Sequence, residues 1–280
     1  MLAGILPAAS FQNLFSRHVT SLLAKFSLHD HSIALPSLLV KWFSKFLLTF
    51  SRQGGMIRTH RFCERLHLRM TYKNILWDWN GTILNDTPVA FESTNILLAR
   101  YGYPQITLDF YKDNMETPVV NFYAKIFDLQ KHSMDQLDAE WCVLYNELSP
   151  KITLHDGAKA FLRTLHDKGF HQAVLSAFQT EIIEDYAKRF GVDLYFHKIL
   201  GTRNIVAESK TLRGKAYMAE NHLNPRETLY IGDTVHDFKT ARDLGTDCIL
   251  FSQGQQSPGL LRTCGVPVCE TYAELMAAIG

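Results

Sequence analysis

The chain has 280 residues, 46% hydrophobic and 20% charged, with a formal net charge of +1. That composition supports a sizeable packed core and excludes an intrinsically disordered acidic chain and a strongly basic nucleic-acid binder. The balance hides an asymmetry: residues 1–69 carry three Lys and six Arg against Asp30 and Glu64, a net of +7, which leaves −6 for the remainder.

Residues 1–69 read as a basic leader, rich in Leu, Phe, Ser and Arg and poor in acids, a composition shared by organellar transit peptides. Its most apolar stretch, 33–50, contains Pro36, Lys41 and Lys45, which argues against a membrane-spanning helix and leaves at most an interfacial one. Met70 lies directly before the first strand, so a mis-set start stands beside transit sequence and genuine extension as a third reading. In all three the leader is expected to be poorly folded and dispensable. The expected location is cytoplasmic, or organellar if the leader is a targeting sequence in a eukaryotic source.

The first strand, 74–77, ends on a carboxylate and breaks at once into a glycine turn: Asp78-Trp79-Asn80-Gly81-Thr82. Open α/β sheets place their ligands at such strand ends, which makes Asp78 a candidate nucleophile. A calcium loop is excluded, because the Gly falls at the wrong place and Val89 occupies the position of the bidentate Glu. Next come about sixty residues with no strand signal and apolar residues at helical spacing over 89–101, 119–129 and 134–148. Met134, Leu137, Trp141, Leu144 and Leu148 form one stripe, Ser133 with Gln136 spells a capping box, and Pro150 ends the segment.

From residue 157 strands and helices alternate. A helix over 157–168 stops at Gly169 and feeds a strand that ends at Ser176, and Thr180 caps the next helix, which stops at Gly191. Strands follow near 196–200, 228–231, 248–251 and 266–269, with helices over 211–221 and 272–279. This rhythm requires right-handed crossovers and a mainly parallel sheet covered on both faces. Lys210 precedes a helix, and Gly232-Asp233 is followed by Asp237. Arg213 and Lys215 compete with Lys210, which is preferred because it sits at the helix start, nearest the strand ends. Five cysteines, an odd number without zinc-type pairing, read as core or loop thiols in a reducing compartment. No Gly-x-Gly-x-x-Gly follows a strand, so a dinucleotide site has no support.

Asp78-x-Asn80-Gly81-Thr82, Ser176, Lys210 and Gly232-Asp233-x-x-x-Asp237, in this order, resemble the haloacid dehalogenase-like hydrolase superfamily in its phosphoglycolate-phosphatase-like branch. The resemblance spans about residues 72–280. It implies an α/β fold: a Rossmann-like, mainly parallel sheet core over 70–87 and 152–280, with a small all-helical cap, 88–151, inserted after the first strand. It further implies a phosphatase of small phosphorylated metabolites in which Asp78 attacks phosphorus. Asp78, the Asn80 carbonyl and Asp233 would hold Mg2+ with Asp237 in support, while Ser176 and Lys210 would bind the phosphoryl group beside Gly81, Thr82 and Ala177. Cap residues Lys112, Asn114 and Glu116 are candidates to face the substrate, with an exposed loop as the simpler reading.

One position departs from the family. Its phosphatases carry an Asp two residues after the nucleophile, which protonates the leaving oxygen; Asn80 can hydrogen-bond but cannot exchange that proton. The expectation is slow turnover of alkyl phosphates and better turnover of acyl or aryl phosphates, with His236 a candidate substitute acid. A phospho-ligand-binding pseudo-phosphatase is the alternative, and transfer to an acceptor hydroxyl a third. Oligomeric state is not legible.

Overall fold

The computed structural model describes residues 72–202 and 209–279, so the leader lies outside the described residues. Six parallel strands make the central sheet: β1 (Asn74–Trp77), β4 (His171–Gln179), β5 (Lys198–Thr202), β6 (Thr228–Gly232), β7 (Asp247–Phe251) and β8 (Val268–Cys269), in the spatial order β5-β4-β1-β6-β7-β8. A short antiparallel pair, β2 (Leu84–Asn85) and β3 (Thr153–Leu154), stands apart from it. β1 is central and buried throughout, and so reads as a continuous apolar run rather than an alternating one. Alternate residues still face opposite layers. Ile75, Trp77, Val174, Ile231 and Phe251 pack with Phe161, Ile183 and Tyr272 on one side, while Leu76, Leu175, Tyr230 and Leu250 pack with Tyr217, Met218 and Leu244 on the other.

The register of β1 with its neighbours fixes the site. Trp77 is level with Val174 of β4 and Ile231 of β6, so the residues that follow, Asp78, Ser176 and Asp233, emerge together at the carboxyl edge. Asp78 is drawn in by a backbone hydrogen bond of 2.8 Å to the Ile231 carbonyl.

Between β2 and β3 lie the helices α1 (Thr87–Arg100), α2 (Leu108–Asn114), α3 (Val120–Ile126) and α4 (Met134–Leu148). Helix α2 was not expected from the periodicity; it is short and starts on Thr107, whose side chain accepts from the Phe110 amide. The Ser133–Gln136 capping box does not form: Ser133 makes no side-chain cap bond, and Gln136 Nε2 donates to the Tyr101 hydroxyl and to Glu140. Trp141 on the α4 stripe donates to Thr94 of α1 at 3.1 Å.

The remaining helices, α5 (Ala158–Asp167), α6 (Thr180–Phe190), α7 (Lys210–Glu220), α8 (Val235–Leu244), α9 (Pro258–Arg262) and α10 (Tyr272–Ile279), belong to the crossovers and the carboxyl end. Thr180 is the first residue of α6 and not its cap, which is Gln179. β5 starts two residues later than the apolar run suggests, since Phe196 packs edge-on to Trp79, ring centroids 6.3 Å apart. Cys142, Cys248, Cys264 and Cys269 are free thiols, and Cys63 lies outside the described residues. No helix among the described residues is long and apolar enough to cross a membrane.

Candidate active site

After β1 the chain folds back tightly, and the Trp79 carbonyl accepts from the amides of Thr82, Ile83 and Leu84. Gly81 allows this with φ of 73°, and a Cβ there would run into the Asp233 carboxylate; the same holds for a Cβ on Gly254. Asp233 is therefore gripped between two glycine backbones. Its oxygens accept from Thr82 Oγ1 at 2.9 Å and from the Gln255 amide at 2.6 Å.

Ser209 caps α7 by accepting from the Leu212 amide, and this sets Lys210 at the helix start, pointing into the strand ends. Its Nζ lies 2.6 Å from Asp78 Oδ1 and 2.6 Å from Asp237 Oδ1, with all three side chains nearly inaccessible. Asp237 is also N3 of a true capping box with Thr234. Its Oδ2 accepts from the amides of Asp233 and Thr234 and from Thr234 Oγ1, and its Oδ1 from Lys210 and Tyr230. With five donors on it, Asp237 has little left for a cation, and its evident work is to fix Lys210 and the turn carrying Asp233.

Electrostatics follow from burial of three carboxylates around one ammonium. Burial pushes Asp78 up to about 7, against the pull of Lys210. Burial, then the charges of Asp78 and Asp237, hold Asp233 well above the usual carboxylate range. For Asp237 burial is outweighed by Lys210 and Thr234, which hold it low. Burial opposes the charge on Lys210, but Asp237 and Asp78 keep it protonated above its usual range. One carboxylate oxygen from each of Asp78, Asp233 and Asp237 lies within 4.8 Å of the other two. An all-oxygen set with surplus negative charge in a buried pocket suits a hard divalent ion such as Mg2+, with Asp78 and Asp233 the carboxylates that still have lone pairs to offer.

Asn80 turns toward the cap. Its Nδ2 donates to Asp86 Oδ2 at 2.8 Å and lies 3.4 Å from the Tyr145 hydroxyl of α4. Asp86 is 2% exposed and also accepts from Tyr145 and from the Gly81 amide, each at 2.8 Å. Burial raises its carboxyl above the usual range, and the three donors act the other way. Neither Asp86 nor Tyr145 was singled out from the sequence.

Ser176, 2% exposed, lies in β4 beside β1; its Oγ accepts from the Phe178 amide, and its carbonyl accepts from Arg213 at 2.7 Å. Ala177 is exposed, with its carbonyl toward Thr202. Lys215 is exposed, so the cation among the carboxylates is Lys210. Half-buried His236 is not hydrogen-bonded to Asn80, whose amide is engaged by Asp86 and Tyr145. Lys112 donates to the Ser252 carbonyl and, with His155 and Gln253, lines a cleft of about 570 Å³ that includes none of Asp78, Ser176 and Lys210. Asn114 caps back onto Phe110, and Glu116 pairs with Lys125. Burial lowers the Lys112 ammonium and the charge of Asp233 opposes that, whereas the contacts of Asn114 and Glu116 are with Phe110 and Lys125 and not with the carboxylates.

The haloacid dehalogenase-like hydrolase family model matches residues 75–251, well over half of the chain. The chain belongs to the haloacid dehalogenase-like hydrolases. Within that family it falls in the phosphoglycolate-phosphatase-like branch and is a phosphatase. A phosphoglycolate phosphatase of Haemophilus influenzae (strain 86-028NP) is 23% identical over 194 residues, 65% of this chain and 87% of that protein. An N-acetylmuramic acid 6-phosphate phosphatase of Pseudomonas aeruginosa is 25% identical over 195 residues, 68% and 86% of the two chains. A haloacid dehalogenase-like family hydrolase from Streptococcus pneumoniae superposes with a TM-score of 0.66 at 17% identity, covering 75% of this chain and 99% of that one, and so shares the fold.

His155 buttresses the loop after β1, its Nε2 3.0 Å from the Gly81 carbonyl. Burial lowers it to about 4. The unfolded chain takes up this proton near pH 6.5 and the folded one only near 4, so folding stability is full above 6.5 and lost as the pH falls between those values. Replacing His155 with Gln is expected to flatten the pH dependence of unfolding free energy between pH 4 and 6.5, by up to about 1.4 kcal/mol per pH unit. Urea unfolding at several pH values measures this, and an unchanged slope would contradict the buried neutral histidine.

Proposed function

We propose that this phosphatase hydrolyses small phosphorylated metabolites through an aspartyl-phosphate on Asp78. The observation that carries the reading is the buried Lys210 ammonium held 2.6 Å from both Asp78 and Asp237, beside Asp233 at the carboxyl edge of the sheet. An Asp78 oxygen attacks phosphorus while the bond to the leaving oxygen breaks, and water then cleaves the acyl phosphate. Lys210 offsets the charge of nucleophile and phosphoryl group, which would otherwise repel in a dry pocket. Ser176, Ala177, Gly81 and Thr82 are the further candidates for the phosphoryl oxygens. Asp78, Asp233 and the Asn80 carbonyl would hold Mg2+, which supplies, when bound, positive charge to the phosphoryl oxygens.

Two of the relatives are named for phosphoglycolate and for N-acetylmuramic acid 6-phosphate, which makes 2-phosphoglycolate the first alkyl phosphate to try. Because residue 80 cannot donate a proton, acetyl phosphate and p-nitrophenyl phosphate are expected to turn over about 10²- to 10⁴-fold faster than 2-phosphoglycolate. A phosphate-release assay with Mg2+ on the three compounds decides it. Equal rates would show that the leaving group receives its proton after all, and phosphorylated-ligand binding with no turnover would favour a binding role.

A further inference from the structure

The Asn80 amide has one orientation compatible with its surroundings. Asp86 meets three donors, one from the cap, one from the loop and one from Asn80, each at 2.8 Å, which is the pattern a carboxylate requires. The NH2 end of Asn80 must therefore face Asp86, and Oδ1 faces away, with no hydrogen-bond partner among the described residues. Asn80 is half-buried while Asp86 is buried, so part of Asn80 beyond its contact with Asp86 is open to solvent or a ligand.

We propose that Asp86 and Tyr145 are positioning residues that make Asn80 Oδ1 a hydrogen-bond acceptor for the attacking water, so that this phosphatase orients that water without supplying a proton to the leaving group. The proposal rests on the phosphatase reading and deepens it. In the first half-reaction the Asp78 oxygen bonds to phosphorus and the leaving oxygen departs with its electron pair and no proton. In the second, water donates a hydrogen bond to Asn80 Oδ1 and attacks phosphorus; the bond to Asp78 breaks, and the water's proton ends on the released phosphate. The substrate class this selects is phosphate joined to an acidic leaving group, such as an acyl or enol phosphate. Tyr145 ties the device to the cap, since the hydrogen bond that completes Asp86 comes from α4.

The pair should be exchangeable. Asn80→Asp alone sets two carboxylates face to face, whereas Asp86→Asn alone is met by a flip of the Asn80 amide, which turns Oδ1 to the new NH2 and away from the water; N80D/D86N restores donor to acceptor and puts an ionisable group at position 80. Urea unfolding of the full chain is expected to show the unfolding constant raised about tenfold or more by N80D, little changed by D86N and returned to within severalfold of the parent by the double. No recovery in the double would overturn the assignment. On aryl phosphates of graded phenol acidity, the parent rate should fall steeply as the phenol becomes less acidic, and the swapped protein should show a shallow dependence. A steep dependence in the swap would also overturn it. No turnover in any of the four proteins would remove the phosphatase reading and this inference together, whereas failure of the stability cycle alone removes only the inference.

Discussion

Asp78→Ala is expected to lower phosphate release by about four orders of magnitude or more, on good and poor leaving groups alike. Without an oxygen in line with phosphorus no covalent intermediate forms, and Lys210 and the acidic residues around it have nothing to assist. The fold should survive the change, because Asp237 still faces the Lys210 ammonium at 2.6 Å when Asp78 is gone. Loss of activity in a folded protein separates a nucleophile from a structural residue. Steady-state assays beside urea unfolding check both, and substantial residual turnover, or a loss of activity explained by unfolding, would contradict the role.

Lys210→Met should lower stability as well as activity. The ammonium touches Asp78 and Asp237 with almost no solvent access, so its removal leaves two buried carboxylates facing each other. Breaking a buried ion pair from one side costs about 3–5 kcal/mol, and turnover should fall about a thousandfold with it. Lys210→Arg should not rescue, since a planar guanidinium cannot sit between two oxygens that an ammonium meets at 2.6 Å. A thermal melt with and without Mg2+ is the check. Mg2+ should return part of the stability and none of the activity, and a K210M protein as stable as the parent would contradict the arrangement.

Much of this was legible in the sequence because strand ends carry the chemistry. Asp78 and Asp233 each close an apolar run, so period and punctuation located them without knowledge of the sheet order. The residues that were missed act across the chain. Asp86, directly before Thr87-Pro88, reads as an ordinary helix cap and does sit at the N-cap of α1, yet it makes no cap bond; its side chain serves the Gly81 amide and Asn80 instead. Tyr145 lies on α4 among its apolar stripe, and nothing local says that its hydroxyl reaches a loop 59 residues away. Gln255 holds Asp233 through a backbone amide, which has no sequence signature at all. The capping box at Ser133 likewise does not form, and Gln136 is instead drawn into bonds with Tyr101 and Glu140, 35 and four residues away in the chain.

The central claim is a covalent phosphoryl group on Asp78. Mixing the full chain with Mg2+ and excess acetyl phosphate, quenching in acid within the first turnover and mapping the phosphorylated peptide by mass spectrometry tests it. The account predicts one hydroxylamine-labile phosphoryl group on Asp78, absent from Asp78→Ala and from a sample treated with a metal chelator. Phosphate released at the full rate with no phosphoprotein formed, or with the label on another residue, would contradict it.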